Sequence, residues 1–188
     1  MLPSQPLPPA PAPPLAVAPD RGRRPADGNE KEVGSGVRKS GVPREQLFIS
    51  SKLYPTGGYE STLAACAASL ERLGMEYLDL YLIHWPGGGS AKRKESWRAM
   101  EELLASGKVR SIGVSNYMQP HIQEIIDDPA LSVVPHVNQC ELHPQCQWTE
   151  LRGFCADNNV QFMGCAQPPY PPPPSRTRGC CGGRLTAR

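Results

Sequence analysis

The chain has 188 residues, 20 Lys plus Arg against 18 Asp plus Glu, and a formal net charge of +2. One domain fits that length, and the near-neutral balance excludes a strongly electrostatic nucleic-acid binder, which carries a clustered basic excess. No apolar run approaches the ~18–20 residues that span a bilayer, so no membrane partner is expected.

The first stretch, Met1–Pro25, holds nine of the 22 prolines, and Pro168–Pro174 holds six more. Proline fixes φ and removes a backbone donor, so such runs favour extended polyproline over helices or central strands. Both ends are also basic, through Arg21, Arg23, Arg24, Arg176, Arg178, Arg184 and Arg188. The shift in composition divides the chain into disordered tails at 1–28 and 168–188 and a folded domain at 29–167. Met1–Pro25 has no apolar h-region of about 7–15 residues, so a soluble, cytoplasmic protein is expected. The proline runs could offer weak contacts to SH3-like partners. Seven cysteines, an odd number with no C-x-x-C spacing, point to free thiols rather than disulfides, and no metal site is expected.

Within the middle segment, apolar strand-like runs lie at Leu47–Leu53, Leu78–His84, Val109–Val114, Val137–Leu142 and Val160–Ala166. Helical patterns fall between them. Leu63, Cys66, Ala67, Leu70 and Leu73 share one face before Gly74, a residue suited to ending a helix. Trp97, Met100, Leu103 and Leu104 do the same before Gly107. Amphipathic patterns at Pro120–Ile126 and Gln147–Asn158 complete the alternation. Strands separated by single helices imply a parallel sheet and an α/β fold, its faces covered by helices.

Two architectures compete. A dinucleotide-binding doubly wound sheet should show G-x-G-x-x-G between an early strand and its helix, and neither Gly34-Ser35-Gly36 nor Gly87-Gly88-Gly89 supplies it. Polar residues instead recur at strand ends: Lys52, His84, Ser115 with Asn116, and Gln139 with Glu141. A (β/α)8 TIM-type barrel builds its site from those ends, so the barrel is the expected fold.

The longer motifs sharpen this reading. They are Asn29-Glu30 with Val33-Gly34, Arg44 through Leu53, Arg72-Leu73-Gly74, Tyr77 through Pro86, Gly107 through Tyr117, and Val137 through Pro144. In order and spacing the segment from Asn29 to Gln167 resembles the aldo/keto reductase family, closest to its bacterial, plant and protist branch. The resemblance implies a hydride transfer from NADPH to an aldehyde or ketone, a small-molecule carbonyl substrate. It implies catalytic roles for Lys52 and His84, a substrate wall including His84 and Trp85, and nicotinamide contacts from Ser115, Asn116 and Gln139. Such an arrangement answers the chemistry, because charge developing on the carbonyl oxygen needs an acid and hydrogen-bond donors. Read from the residues alone, Ser115-Asn116 could equally cap a helix or shape a turn, and Gln139 could serve the barrel mouth structurally.

The resemblance also has departures. Asp27 stands where the family has its proton-donating tyrosine, and Gly22 stands where it has a supporting aspartate. The motifs correspond to about five of eight strands, the third to the seventh, with no counterpart of the last. An incomplete barrel is therefore expected, whether from a partial gene model or an alternative transcript. The competing function is a non-catalytic remnant or binding module.

Overall fold

The computed structural model describes the backbone of residues 15–17 and residues 29–54 and 56–165 in full. Gly22, Asp27, the polyproline runs and Pro168 onward lie outside the described residues. Six parallel strands form one sheet: β1 (Leu15–Val17), β2 (Phe48–Leu53), β3 (Leu80–Ile83), β4 (Ile112–Ser115), β5 (Val137–Glu141) and β6 (Gln161–Cys165). Each pairs with the next in sequence. The unbroken order is that of a barrel wall; a doubly wound sheet reverses its order at a switch point.

Five helices connect or precede these strands: α1 (Glu30–Ser40), α2 (Tyr59–Leu73), α3 (Gly89–Ala105), α4 (Gln119–Ile126) and α5 (Thr149–Asp157). Successive helices pack side by side, α1 on α2, α2 on α3, α3 on α4 and α4 on α5. They line a single face of the sheet. The second face is the inside of a partial barrel, the architecture expected from the polar strand ends. The main core joins the helical layer, with Trp97 of α3, to the outward strand residues, including Ile49, Leu53, Tyr81, Ile83 and Val114. A smaller core of Leu80, Leu82 and Val137, with Phe48 and Met163 against it, fills the inward face.

Local chemistry explains most boundaries. Gly74 ends α2 in the left-handed region at φ 65°, and Met75 N–H donates back to the Leu70 carbonyl at 3.0 Å. Helix α1 was not anticipated, although Val33 and Val37 stand one helical turn apart and pack against the core. Its Gly34 packs against the end of α2, where a Cβ would collide with the Leu73 carbonyl. Its Glu30 is buried, accepting from Ser51 Oγ at 2.6 Å and from Arg72 Nε at 2.6 Å. A strand at Leu15–Val17 was not anticipated either. That run contains no proline, so it keeps the backbone donors a ladder needs, and it registers Leu15 with Phe48 and Val17 with Ser50.

Candidate functional site

Side chains alternate across a strand, and paired residues of parallel neighbours share a face. Lys52 registers with Leu82, Leu82 with Gly113, Gly113 with Val137, Ser115 with Gln139, and Gln139 with Met163. Stepping two residues along each strand keeps the face. Lys52, Ser115, Gln139 and Glu141 therefore stand on the inward face with Leu82 and Met163, and His84 follows Leu82 by two. The sequence-selected residues thus come from four different strands and meet at the C-terminal end of the sheet. Below them the face turns apolar, with Phe48, Leu80 and Val137. Gly113 is needed in that layer, since a Cβ there would sit 2.5 Å from the Val137 carbonyl oxygen and 2.8 Å from Leu82 Cδ2.

Backbone bonds tie this end together. His84 N–H donates to the Leu53 carbonyl at 3.1 Å, joining the ends of β2 and β3. Asn116 takes a left-handed φ of 61°. In that conformation its N–H donates to the Gln139 carbonyl at 2.9 Å. Its side-chain Nδ2 donates to the His84 carbonyl at 3.0 Å and to Ser115 Oγ at 3.1 Å. Those two bonds use both amide hydrogens and leave Oδ1 as an acceptor. Ser115 Oγ in turn donates to the Gln139 carbonyl at 2.8 Å. These bonds make Ser115-Asn116 the turn that ends β4, with Asn116 Oδ1 left as an acceptor.

Gln139 is 3 % exposed. Its Nε2 donates only to the Met163 thioether at 3.0 Å, a weak acceptor. Its Oε1 is buried with no hydrogen-bond partner among the described residues. An unsatisfied buried carbonyl costs about 1–3 kcal/mol, so it is a standing acceptor for an incoming N–H. The two N–H donors of a primary carboxamide fit the acceptors Gln139 Oε1 and Asn116 Oδ1, while the Ser115 hydroxyl hydrogen is already given to the Gln139 backbone carbonyl. This donor and acceptor chemistry suits the amide of a nicotinamide ring.

The aromatic residues occupy the rim. Trp85 is 43 % exposed, and its carbonyl accepts from Thr56 Oγ1 at 3.1 Å. Tyr54 is 50 % exposed and lies edge-on to the His84 ring, with centroids 5.7 Å apart. Sequence reasoning did not select Tyr54. The available signal was its spacing: strand alternation carried one step past Leu53 places it on the face of Lys52.

The opposite, N-terminal end of the sheet has a different character. Asp79 is 5 % exposed, accepts from Ile49 N–H at 2.9 Å and pairs with Arg44 at 2.8 Å and Arg110 at 3.4 Å. Both guanidiniums lie 4.0 Å from the Tyr77 ring centroid. This is a structural clamp away from the site. Two clefts also open on the molecule, one of ≈ 480 Å³ between Met118–Pro120 and Trp148–Leu151 and one of ≈ 680 Å³ between α5 and β6. Neither is lined by Lys52, His84, Ser115 or Gln139. Burial and Glu30 push the Cys66 thiol up to about 12, and burial raises that of Cys155, so these two thiols are held protonated.

The family model described as the aldo/keto reductase family matches residues 26–168. The sequence is 51 % identical to the glyoxal reductase of Bacillus subtilis (strain 168) over 71 % of this chain and 48 % of that protein. It is 48 % identical to the 9,11-endoperoxide prostaglandin H2 reductase of Trypanosoma cruzi (strain CL Brener) over 70 % of this chain and 46 % of that one. A crystal structure of an aldo-keto reductase from a Medee basin deep-sea metagenome library superposes with a TM-score of 0.70. Its identity is 42 %, and the match covers 73 % of this chain and 50 % of that one. An aldo/keto reductase structure from Brucella melitensis gives the same TM-score and identity over 73 % and 54 %. The chain spans about half the length of the curated relatives it matches.

Proposed function

Because the chain belongs to the aldo/keto reductase family, an oxidoreductase family, we propose that its inward sheet end binds NADPH and presents an aldehyde or ketone carbonyl for reduction. When bound, the reduced nicotinamide supplies the hydride. The observation that carries the reading is the register that sets Lys52, Ser115 and Gln139 on one face of the sheet, with His84 directly after β3 at the same end.

Each residue then has a task. Gln139 Oε1 and Asn116 Oδ1 accept the two N–H donors of the nicotinamide carboxamide, and Ser115 braces the turn that carries Asn116, fixing which ring face is presented. Fixing that orientation removes much of the entropic part of the barrier. His84 donates to the carbonyl oxygen and orients it, and Lys52 brings a positive charge to the oxygen as negative charge grows there. Trp85 walls the substrate side. The apolar layer of Leu82 and Val137 beneath keeps water from the inner side of the face.

A second reading, a non-catalytic module, is favoured by Asp27 at the position of the family's tyrosine. NADPH consumption with a reactive aldehyde, beside a Lys52→Met control, separates the two. The reductase reading expects turnover that falls by about 10²–10⁴-fold in the control. Folded protein that neither binds NADPH nor consumes it would sink that reading.

A further inference from the structure

We propose that Tyr54 donates the proton to the substrate carbonyl, an assignment that rests on the reductase reading above. Reduction of a carbonyl needs a proton as well as a hydride, and the resemblance leaves the donor's usual position to Asp27. An ionised carboxylate repels an oxygen on which negative charge is growing. A different hydroxyl on the site face is therefore required.

The tyrosines can be sorted by position. Of the 6 in the chain, Tyr170 lies outside the described residues. Tyr81 and Tyr117 are fully buried within the core shared by the sheet and the helices, and burial raises the Tyr117 hydroxyl above its ordinary range. Tyr59 sits on α2 and donates to Glu102 in the helical layer. Tyr77 is held between Arg44 and Arg110 at the far end of the sheet. Tyr54 alone among the described tyrosines stands at the site end. It follows Lys52 by two residues, on the same face, and its ring meets that of His84 at 5.7 Å and 69°.

Tyr54, Lys52 and His84 thus share the inward face at the site end of the sheet, with the Tyr54 and His84 rings in edge-on contact. In this assignment His84 aligns the acceptor beside the phenol. In the step, the hydride pair from a reduced nicotinamide forms the new C–H bond. The C=O π pair moves onto oxygen and takes the Tyr54 proton, giving the alcohol. The tyrosinate left behind regains a proton from water, which reaches the ring because half of it is exposed.

The test uses the full chain, 4-nitrobenzaldehyde as substrate and the Tyr54→Phe variant, which keeps the ring and its contact with His84. NADPH binding is followed by its own fluorescence. The proposal expects NADPH to bind both proteins within about threefold, while kcat falls about 10²–10⁴-fold in Tyr54→Phe, the usual cost of losing a general acid. A second readout does not depend on turnover. Tetranitromethane nitrates exposed phenols, and the aldehyde should slow modification of Tyr54 severalfold while leaving Tyr59 unaffected. Turnover retained within threefold in Tyr54→Phe overturns the assignment and leaves the reductase reading standing. So does nitration of Tyr54 that ignores the aldehyde. Wild-type chain that binds NADPH without turnover overturns the proton donor alone, whereas chain that does neither overturns both readings.

Discussion

His121 shows how one side chain couples the site end to the stability of the molecule. Its Nδ1 accepts the Met118 N–H at 3.2 Å and caps α4, while its ring packs edge-on against Tyr117 with centroids 5.6 Å apart. Burial holds its pKa below the usual imidazole value, Arg93 lowers it further, and Glu124 offsets part of the drop. The unfolded chain therefore binds more protons than the folded one as pH falls through about 6.5. This contribution to stability is complete above that range and is lost on acidification toward the lowered folded value. Urea midpoints measured from pH 7.5 to 5.5 should fall with pH, and His121→Asn, which can still cap the helix, should flatten the slope. An unchanged slope would show that the imidazole is not the group responsible.

At the scale of the element, helix α1 depends on contacts that its own sequence does not advertise. Glu30 is 1 % exposed, and its carboxylate joins α1 to Ser51 of β2 and Arg72 of α2. Glu30→Gln should cost about 1–3 kcal/mol in chemical denaturation by weakening both bonds, with α1 the first segment to exchange amide hydrogens. The other elements were legible for physical reasons. The strands from β2 to β6 are short apolar runs, and α2 and α3 carry Leu, Cys, Trp and Met at helical spacing ahead of glycine. In α1 the apolar contribution is only Val33 and Val37, and the fully buried positions are Gly34 and Glu30, neither of which registers as hydrophobic. The strand at Leu15–Val17 was hidden by its proline-rich surroundings. Among the candidate site residues, Lys52, His84, Ser115, Asn116 and Gln139 were selected by strand-end position, because a parallel sheet gathers those ends. Tyr54 lay one residue past the apolar run and so escaped that rule.

Across the whole molecule the two ends of the sheet divide the labour. The Asp79, Arg44, Arg110 and Tyr77 clamp fastens the N-terminal end, and the polar face with its unsatisfied Gln139 Oε1 occupies the other. Asp79→Asn should lower stability by about 2–4 kcal/mol, since it leaves Arg44 without its anion, yet leave the NADPH dissociation constant unchanged within twofold. A large change in cofactor affinity at matched folded fraction would show that the ends are not independent. The same polarity has an electrostatic side. Because each of α2 to α5 follows its strand, all four open their N-termini toward the site end, where helix dipoles place partial positive charge. Helices α2 and α5 carry an acid in their first turn, Glu60 and Glu150, whereas α3 and α4 carry none. The positive end of α4 follows the strand that leads into Ser115-Asn116, whereas in the first turn of α3 the Glu124 carboxylate accepts from Ser90. The backbone of α4 thus sets up a standing partial positive charge beside the Ser115-Asn116 turn, before any side chain ionises.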